Sequence, residues 1–179
     1  MPSRKYKSKS KSTLSGNRWS MYPALHADVL TQLSSSTFPI TSLTFHPFDD
    51  SETCIEEYDT NIMGRFICPN NSCGSSGWAS KKIAITIRLY EGDEYNARVY
   101  HQRCKGCNAL SRPFLDEKSY AERIAYRMKR WYDVDVERPV YNGSGNSKPH
   151  NRDLCEGCKV GRCSFARERD VFFLRGGFL

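Results

Sequence analysis

Seven of the eight cysteines and one histidine fall into two sets of four. Cys68, Cys73, Cys104 and Cys107 are spaced C-x4-C, a long gap, then C-x2-C. His150, Cys155, Cys158 and Cys163 are spaced H-x4-C-x2-C-x4-C. Thiolate and imidazole are the donors a tetrahedral Zn²⁺ accepts, and a short C-x2-C turn brings two sulfurs to one ion without straining the backbone. Eight ligands fit two closed sites, so the spacing predicts two structural Zn²⁺ ions. Sequential pairing is preferred because a helix separates the two halves, and an interleaved pairing stays open. His26, His46 and His101 compete with His150 for the eighth position; His150 is chosen for its nearness to the cysteines. His101 reads as a core or ligand-supporting histidine. Cys54 is left over as a small buried side chain.

These ligands need elements to hold them. Ile83, Ile85, Ile87 and Leu89 alternate with more polar residues, as do Tyr95, Ala97, Val99 and His101 after the turn at Glu91–Glu94. The pattern predicts a β-hairpin, apolar on one face, with Arg88, Tyr90, Arg98 and Tyr100 outward on the other. Its return strand delivers Cys104 and Cys107, and a strand over 64–67 delivers Cys68. Gly74 and Gly106 are expected to supply positive φ in the knuckles. A first helix opens at Pro23 and buries Leu25, Val29 and Leu33. Residues 37–60 read as irregular or short-strand. Ser119 and Glu122 form a capping box that predicts a second helix from Tyr120, with Ile124, Met128 and Trp131 inward. Tyr141–Pro149 reads as a loop, and Val171–Leu174 as a docked last strand or cap. The expected fold is α+β: a small antiparallel sheet with zinc-ribbon-like knuckles, two or three packed helices and two structural zinc sites. Residues 1–18 read as a disordered basic tail, and 19–179 as the zinc-binding domain, with its core at about 60–165.

The chain has 179 residues, 39% of them hydrophobic, and a formal net charge of +7. Five positives sit before residue 12, at Arg4, Lys5, Lys7, Lys9 and Lys11. With seven thiolates on two Zn²⁺, the total falls to about +4, so net charge alone argues weakly for nucleic acid. No apolar run reaches the roughly 18 residues of a membrane span. No secretory leader is read at the start. The cysteines are therefore expected to be reduced ligands in the cytoplasm, the nucleus or both, with no membrane partner.

Gly64-Arg65-Phe66 to Cys68, Trp78-Ala79-Ser80, His101-Gln102-Arg103-Cys104-Lys105-Gly106-Cys107, and His150 through Cys155-Glu156-Gly157-Cys158 to Gly161 and Cys163 carry a resemblance. Over roughly residues 60–165 the chain resembles the 3CxxC-type zinc finger family, and most of all its fungal single-domain members. That family includes receptor-transporting and zygote arrest proteins. The first C-x4-C departs from its usual C-x2-C and implies a widened knuckle. The resemblance implies a zinc-binding, non-catalytic fold, with RNA as an expected ligand. A membrane-anchored trafficking role is not expected.

Arg123, Arg127 and Arg130 line one helix face beside Tyr126, and with Arg88, Arg98 and Tyr100 they are the candidate nucleic-acid contacts. Arginine meets phosphate and stacks on bases, and tyrosine stacks. The plainer reading of the helix face is a solvated charged surface. The alternative function is a protein-interaction adaptor or chaperone-like scaffold, with the acidic 49–59 segment facing its partner. An enzyme is not expected. Both sets are complete, leaving no open metal position, and no deaminase, phosphate-loop or nucleophile-elbow motif is present. No small-molecule substrate is expected.

Overall fold

In the computed structural model, residues 17–34, 38–39, 42–137 and 149–164 are described. Most of the basic tail, the loop over 141–148 and the apolar 171–174 segment lie outside the described residues.

Two long strands organise the chain. β3 (Glu56–Phe66) pairs antiparallel with β4 (Trp78–Tyr90), which turns back into β5 (Glu94–Tyr100). Short strands extend this core: β1 (Trp19–Ser20) and β2 (Thr44–Phe45) both pair with β5, and β8 (Phe114–Leu115) pairs with β3. A separate pair, β6 (Gln102–Arg103) and β7 (Leu110–Ser111), carries the second half of the first cysteine set. The hairpin and its apolar face match the sequence reading. β3 does not: it is a full strand from Glu56, where residues up to 60 read as irregular or short-strand. Its inward acids Glu57 and Asp59 are paired with Arg88 and Arg162, so polar residues at covered positions hide the alternation.

Helices α1 (His26–Ser34) and α2 (Glu117–Trp131) cover one face of the sheet. Val29 and Leu33 of α1, and Tyr120, Ile124 and Met128 of α2, meet Ile83, Ile85, Ile87 and Val99 in one buried cluster. α2 starts earlier than the capping box implied. Its N-cap is Asp116, whose carboxylate accepts from the Ser119 N–H at 2.9 Å. An acidic cap also complements the positive end of the helix dipole. The Ser119 hydroxyl instead accepts from the Met63 N–H at 3.0 Å and ties the helix start to β3.

The opposite face is also buried, against expectation. Arg88 is 1% exposed and Tyr100 2%. Arg88 Nε donates to Glu57 at 2.8 Å and Nη1 to Asp49. Arg98 donates to the same Asp49, and its guanidinium lies 4.8 Å from the Trp19 ring centre. The Phe48–Asp50 segment covers this part of the sheet, with the Phe48 carbonyl accepting from the Asn96 side chain. The remainder is covered by the last knuckle. An arginine row on a strand is thus an internal ion-pair network here, because acids from two neighbouring segments reach every guanidinium.

Between Ile62 and Gly64 the register slips: Ile62 opposes Ile83, but Gly64 opposes Ser80. The slip leaves Lys81 and Lys82 opposite Met63 alone, a β-bulge that re-aims the strand's side chains. A Cβ on Gly64 would lie 2.5 Å from the Phe114 carbonyl oxygen, so the close pairing of β8 at the bulge requires glycine.

Candidate metal centres

Both cysteine sets converge, in the sequential pairing. In each set the ligand atoms lie within 4.8 Å of one another, and none of the cysteines forms a disulfide. In the first, Cys68 Sγ is 3.5 Å from Cys107 Sγ, and Cys73 Sγ is 3.8 Å from Cys104 Sγ. Four thiolates about 2.3 Å from one Zn²⁺ stand about 3.8 Å apart. In the second, His150 Nε2 lies 3.2 Å from Cys158 Sγ and 3.7 Å from Cys163 Sγ. The donor sets fit two zinc ions, one held by four sulfurs and one by three sulfurs and a nitrogen.

The backbone prepares the first site. The N–H groups of Cys107 and Gly106 point at Cys104 and bring its thiol down to about 6. The Ala109 N–H does the same for Cys107. The Asn70 backbone pulls Cys68 down, but burial and the neighbouring sulfurs outweigh it and push that thiol up to about 12. Packed thiols cannot all ionise together; a dication removes the conflict. Positive φ occurs at Asn108 in this knuckle and not at Gly74 or Gly106, which corrects the expectation for those two glycines. Gly106 has a spatial role: a Cβ there would lie 3.1 Å from Cys73 Sγ.

The second site sits on the sheet. Its short helix α3 (Glu156–Lys159) follows Cys155, and Cys155 and Cys163 bury against Ala84 and Tyr100. A Cβ on Gly157 would come within 2.5 Å of Ala84 Cβ, so glycine sets the depth of this contact. Burial and the Cys163 thiol push Cys158 up to about 11. Gly161, at φ 72°, makes the turn into Cys163.

The two sites touch through their flanking residues. Arg103, just before Cys104, donates to Glu156, just after Cys155, at 2.5 Å. The Glu156 side chain is 1% exposed and also meets Lys159 and Arg18. Burial works against its carboxylate, yet Lys159 and Arg103 outweigh it and hold it below the usual carboxylate range. The Glu156 N–H donates to the His101 carbonyl at 3.1 Å, and Gln102 bridges to Cys155. His101 is buried and hydrogen-bonded to Ser20, as a supporting histidine, not a ligand. His26 and His46 bond Tyr95 and Glu94 instead. Cys54 lies apart from both sets, its thiol directed at the Ser51 carbonyl.

The candidate nucleic-acid residues do not share a surface. Arg88 and Tyr100 are buried, so neither is available as a contact. Arg98 is half-buried on Asp49. On α2, Arg123, Tyr126 and Arg127 are half-buried, with the Arg127 guanidinium 3.2 Å from the Tyr58 ring centre, and Arg130 is exposed.

A different cationic group converges between the knuckles. Lys81 and Lys82 at the bulge, Arg103, and Lys105 inside the first knuckle line a cleft of about 620 Å³ together with Trp78, His150, Asn151 and Leu154. Among the described residues no carboxylate lines it. The clue in the sequence was a change of parity: apolar positions fall on even numbers at Trp78 and on odd numbers from Ile83, with two lysines where the alternation breaks.

The pattern of the 3CxxC zinc-ribbon family, described as a zinc-binding domain, matches residues 61–161. No curated protein and no solved structure matches the chain.

Proposed function

For a chain that belongs to the 3CxxC zinc-ribbon family, we propose a non-catalytic, zinc-stabilised module that binds nucleic acid, most simply RNA, inside the cell. The observation that carries this reading is the convergence of Lys81, Lys82, Arg103 and Lys105 in one concave surface that no carboxylate among the described residues lines. Such a cluster raises the local potential whatever the net charge, and releases counterions when phosphate enters. Both metal sets already offer four protein ligands, so the zinc serves as scaffold and not as Lewis acid. Reduced thiolates of this kind support the cytoplasm or nucleus as the compartment in this reading. Among the described residues no helix is long and apolar enough to cross a membrane.

The test is fluorescence anisotropy of the zinc-loaded protein against mixed-sequence RNA over a salt series, with and without residues 1–16. Micromolar binding that weakens steeply with salt and survives loss of the tail supports the reading. Binding that disappears with the tail removes it from the folded module.

A second reading, a protein-interaction scaffold, has its own observation. Phe48 is 71% and Ile55 55% exposed, and Asp50, Glu52 and Glu56 lie close to them in the chain. An apolar surface bordered by acids suits a basic partner protein. A partner that co-purifies with the wild type and is lost with Phe48→Ser would favour it.

A further inference from the structure

We propose that the cleft between the two metal knuckles is a site for single-stranded nucleic acid, which seats an unpaired base against Trp78 and its phosphates on Lys81, Lys82 and Lys105. This rests on the nucleic-acid reading above and narrows it to one place and one strand state.

Three observations point to this occupant. First, the aromatic ring is fixed before any ligand arrives. Trp78 stacks on Phe66 at 5.0 Å between ring centres and 14° between planes. Its indole N–H donates to Gln102 Oε1 at 3.1 Å, while the Gln102 amide donates to Ser80 Oγ and to the Lys82 carbonyl. A side chain that uses its whole amide to orient one indole makes a rigid platform, and base stacking on such platforms tolerates any sequence.

Second, the bulge presents both lysines to the same cleft. In a regular strand Lys81 and Lys82 would face opposite sides of the sheet. Here both line it, together with Lys105 of the first knuckle. Arg103 is spent on Glu156 and contributes positive field more than a free contact.

Third, the alternatives fit less well. An extended acidic peptide would add as a strand to the open edge of β4. Beside Lys82 that edge is closed, because Gln102 already occupies the Lys82 carbonyl. A duplex keeps its bases inside and meets a protein with a convex wall of phosphates, so a recessed ring between two knuckles is out of its reach. A cleft of about 620 Å³ is in the range of sites that enclose a ligand of nucleotide size.

The experiment uses the zinc-loaded full chain and three labelled probes: a uridine 15-mer, a perfectly paired RNA duplex of equal length, and a glutamate 15-mer peptide. Variants are Lys81→Glu with Lys105→Glu, both exposed in the fold, and Arg130→Glu on the exposed part of α2 as a control. Zinc content and circular dichroism confirm that each variant is folded. The uridine 15-mer should bind at least tenfold more tightly than the duplex or the peptide. The double lysine variant should lose at least tenfold in affinity, and its salt slope should flatten by about 1.4, the share of two phosphate contacts on a single strand. Arg130→Glu should change affinity less than twofold. Trp78→Phe, which keeps a ring on Phe66, should remove the fluorescence quenching caused by the uridine 15-mer.

Equal or tighter binding of the duplex overturns the single-strand assignment. Loss of binding in Arg130→Glu but not in the lysine variant overturns the cleft. Both results leave the nucleic-acid reading in place. Failure of the folded wild type to bind either RNA removes both. Tight binding of the glutamate peptide alone replaces nucleic acid with an acidic protein partner.

Discussion

Arg103 and Glu156 join the two metal knuckles through one ion pair, 2.5 Å long, between residues that each adjoin a cysteine ligand. The carboxylate is buried, and the cations around it are only partly so. Removing it strands positive charge beside both sites.

Glu156→Gln should therefore destabilise the loaded protein by about 3 kcal/mol, near the low end for breaking a buried pair because its partners keep some solvent. Urea denaturation measures this. In the double variant with Arg103→Gln the two losses should not add, since each change breaks the same contact. Full additivity would mean that the pair is incidental.

Gly157 sets how closely the second knuckle approaches β4. With a Cβ placed 2.5 Å from Ala84 Cβ, Gly157→Ala must lift α3 from the sheet. Overpacking of this kind costs about 1–3 kcal/mol. Cobalt substitution should show a weakened three-sulfur, one-nitrogen spectrum with the four-sulfur spectrum unchanged. Loss of the four-sulfur signal first would contradict this packing role.

Chelation should unfold most of the chain. Structural zinc of this type contributes about 10 kcal/mol or more per site; the first site joins residues 68 to 107, and the second holds the knuckle that packs on Ala84 and Tyr100. Two zinc ions per chain by atomic absorption, and collapse of the far-ultraviolet dichroism after chelation, are the expected results. A chelated protein that keeps its thermal transition would refute it.

His101 gives a pH signature separate from the ligands. Burial, with help from Arg112, lowers it to about 4. The unfolded chain then binds a proton near pH 6.5 that the folded chain refuses until near pH 4. Its contribution is present above 6.5 and lost as pH falls through that interval, by up to about 3 kcal/mol. In the zinc-loaded protein its ring resonances should stay neutral to about pH 4–5 in NMR. Titration near 6.5 would show the ring to be solvated.

Asp116→Ala should cost about 1 kcal/mol, measured by thermal denaturation, because it removes the cap of α2. Ser119→Ala tests the neighbouring contact to Met63.

Much of this was legible in the sequence, for reasons that can be named. Zinc ligands announce themselves because few other constraints produce C-x2-C turns, and strand β4 because isoleucine alternates without a break from Ile83. The second face of the sheet was misread. Arg88 and Tyr100 look like surface residues, and their burial depends on Asp49, Glu57 and the last knuckle, far away in the chain. Periodicity reports which side of a strand a residue occupies, but not whether that side is later covered. The cleft was missed for the same reason: Lys81, Lys82 and Lys105 come together only through a register slip and the closure of both knuckles.

The order of ligands along the chain also sets an order of assembly during synthesis. The first set is complete once Cys107 has been made, before any of α2 exists. The second must wait for Cys163, and until then Ala84 and Tyr100, which it will cover, face water. A nascent chain thus passes through a stage with one site able to close and half its sheet bare, and a ribosome stalled within that interval would expose the surface most prone to wrong association.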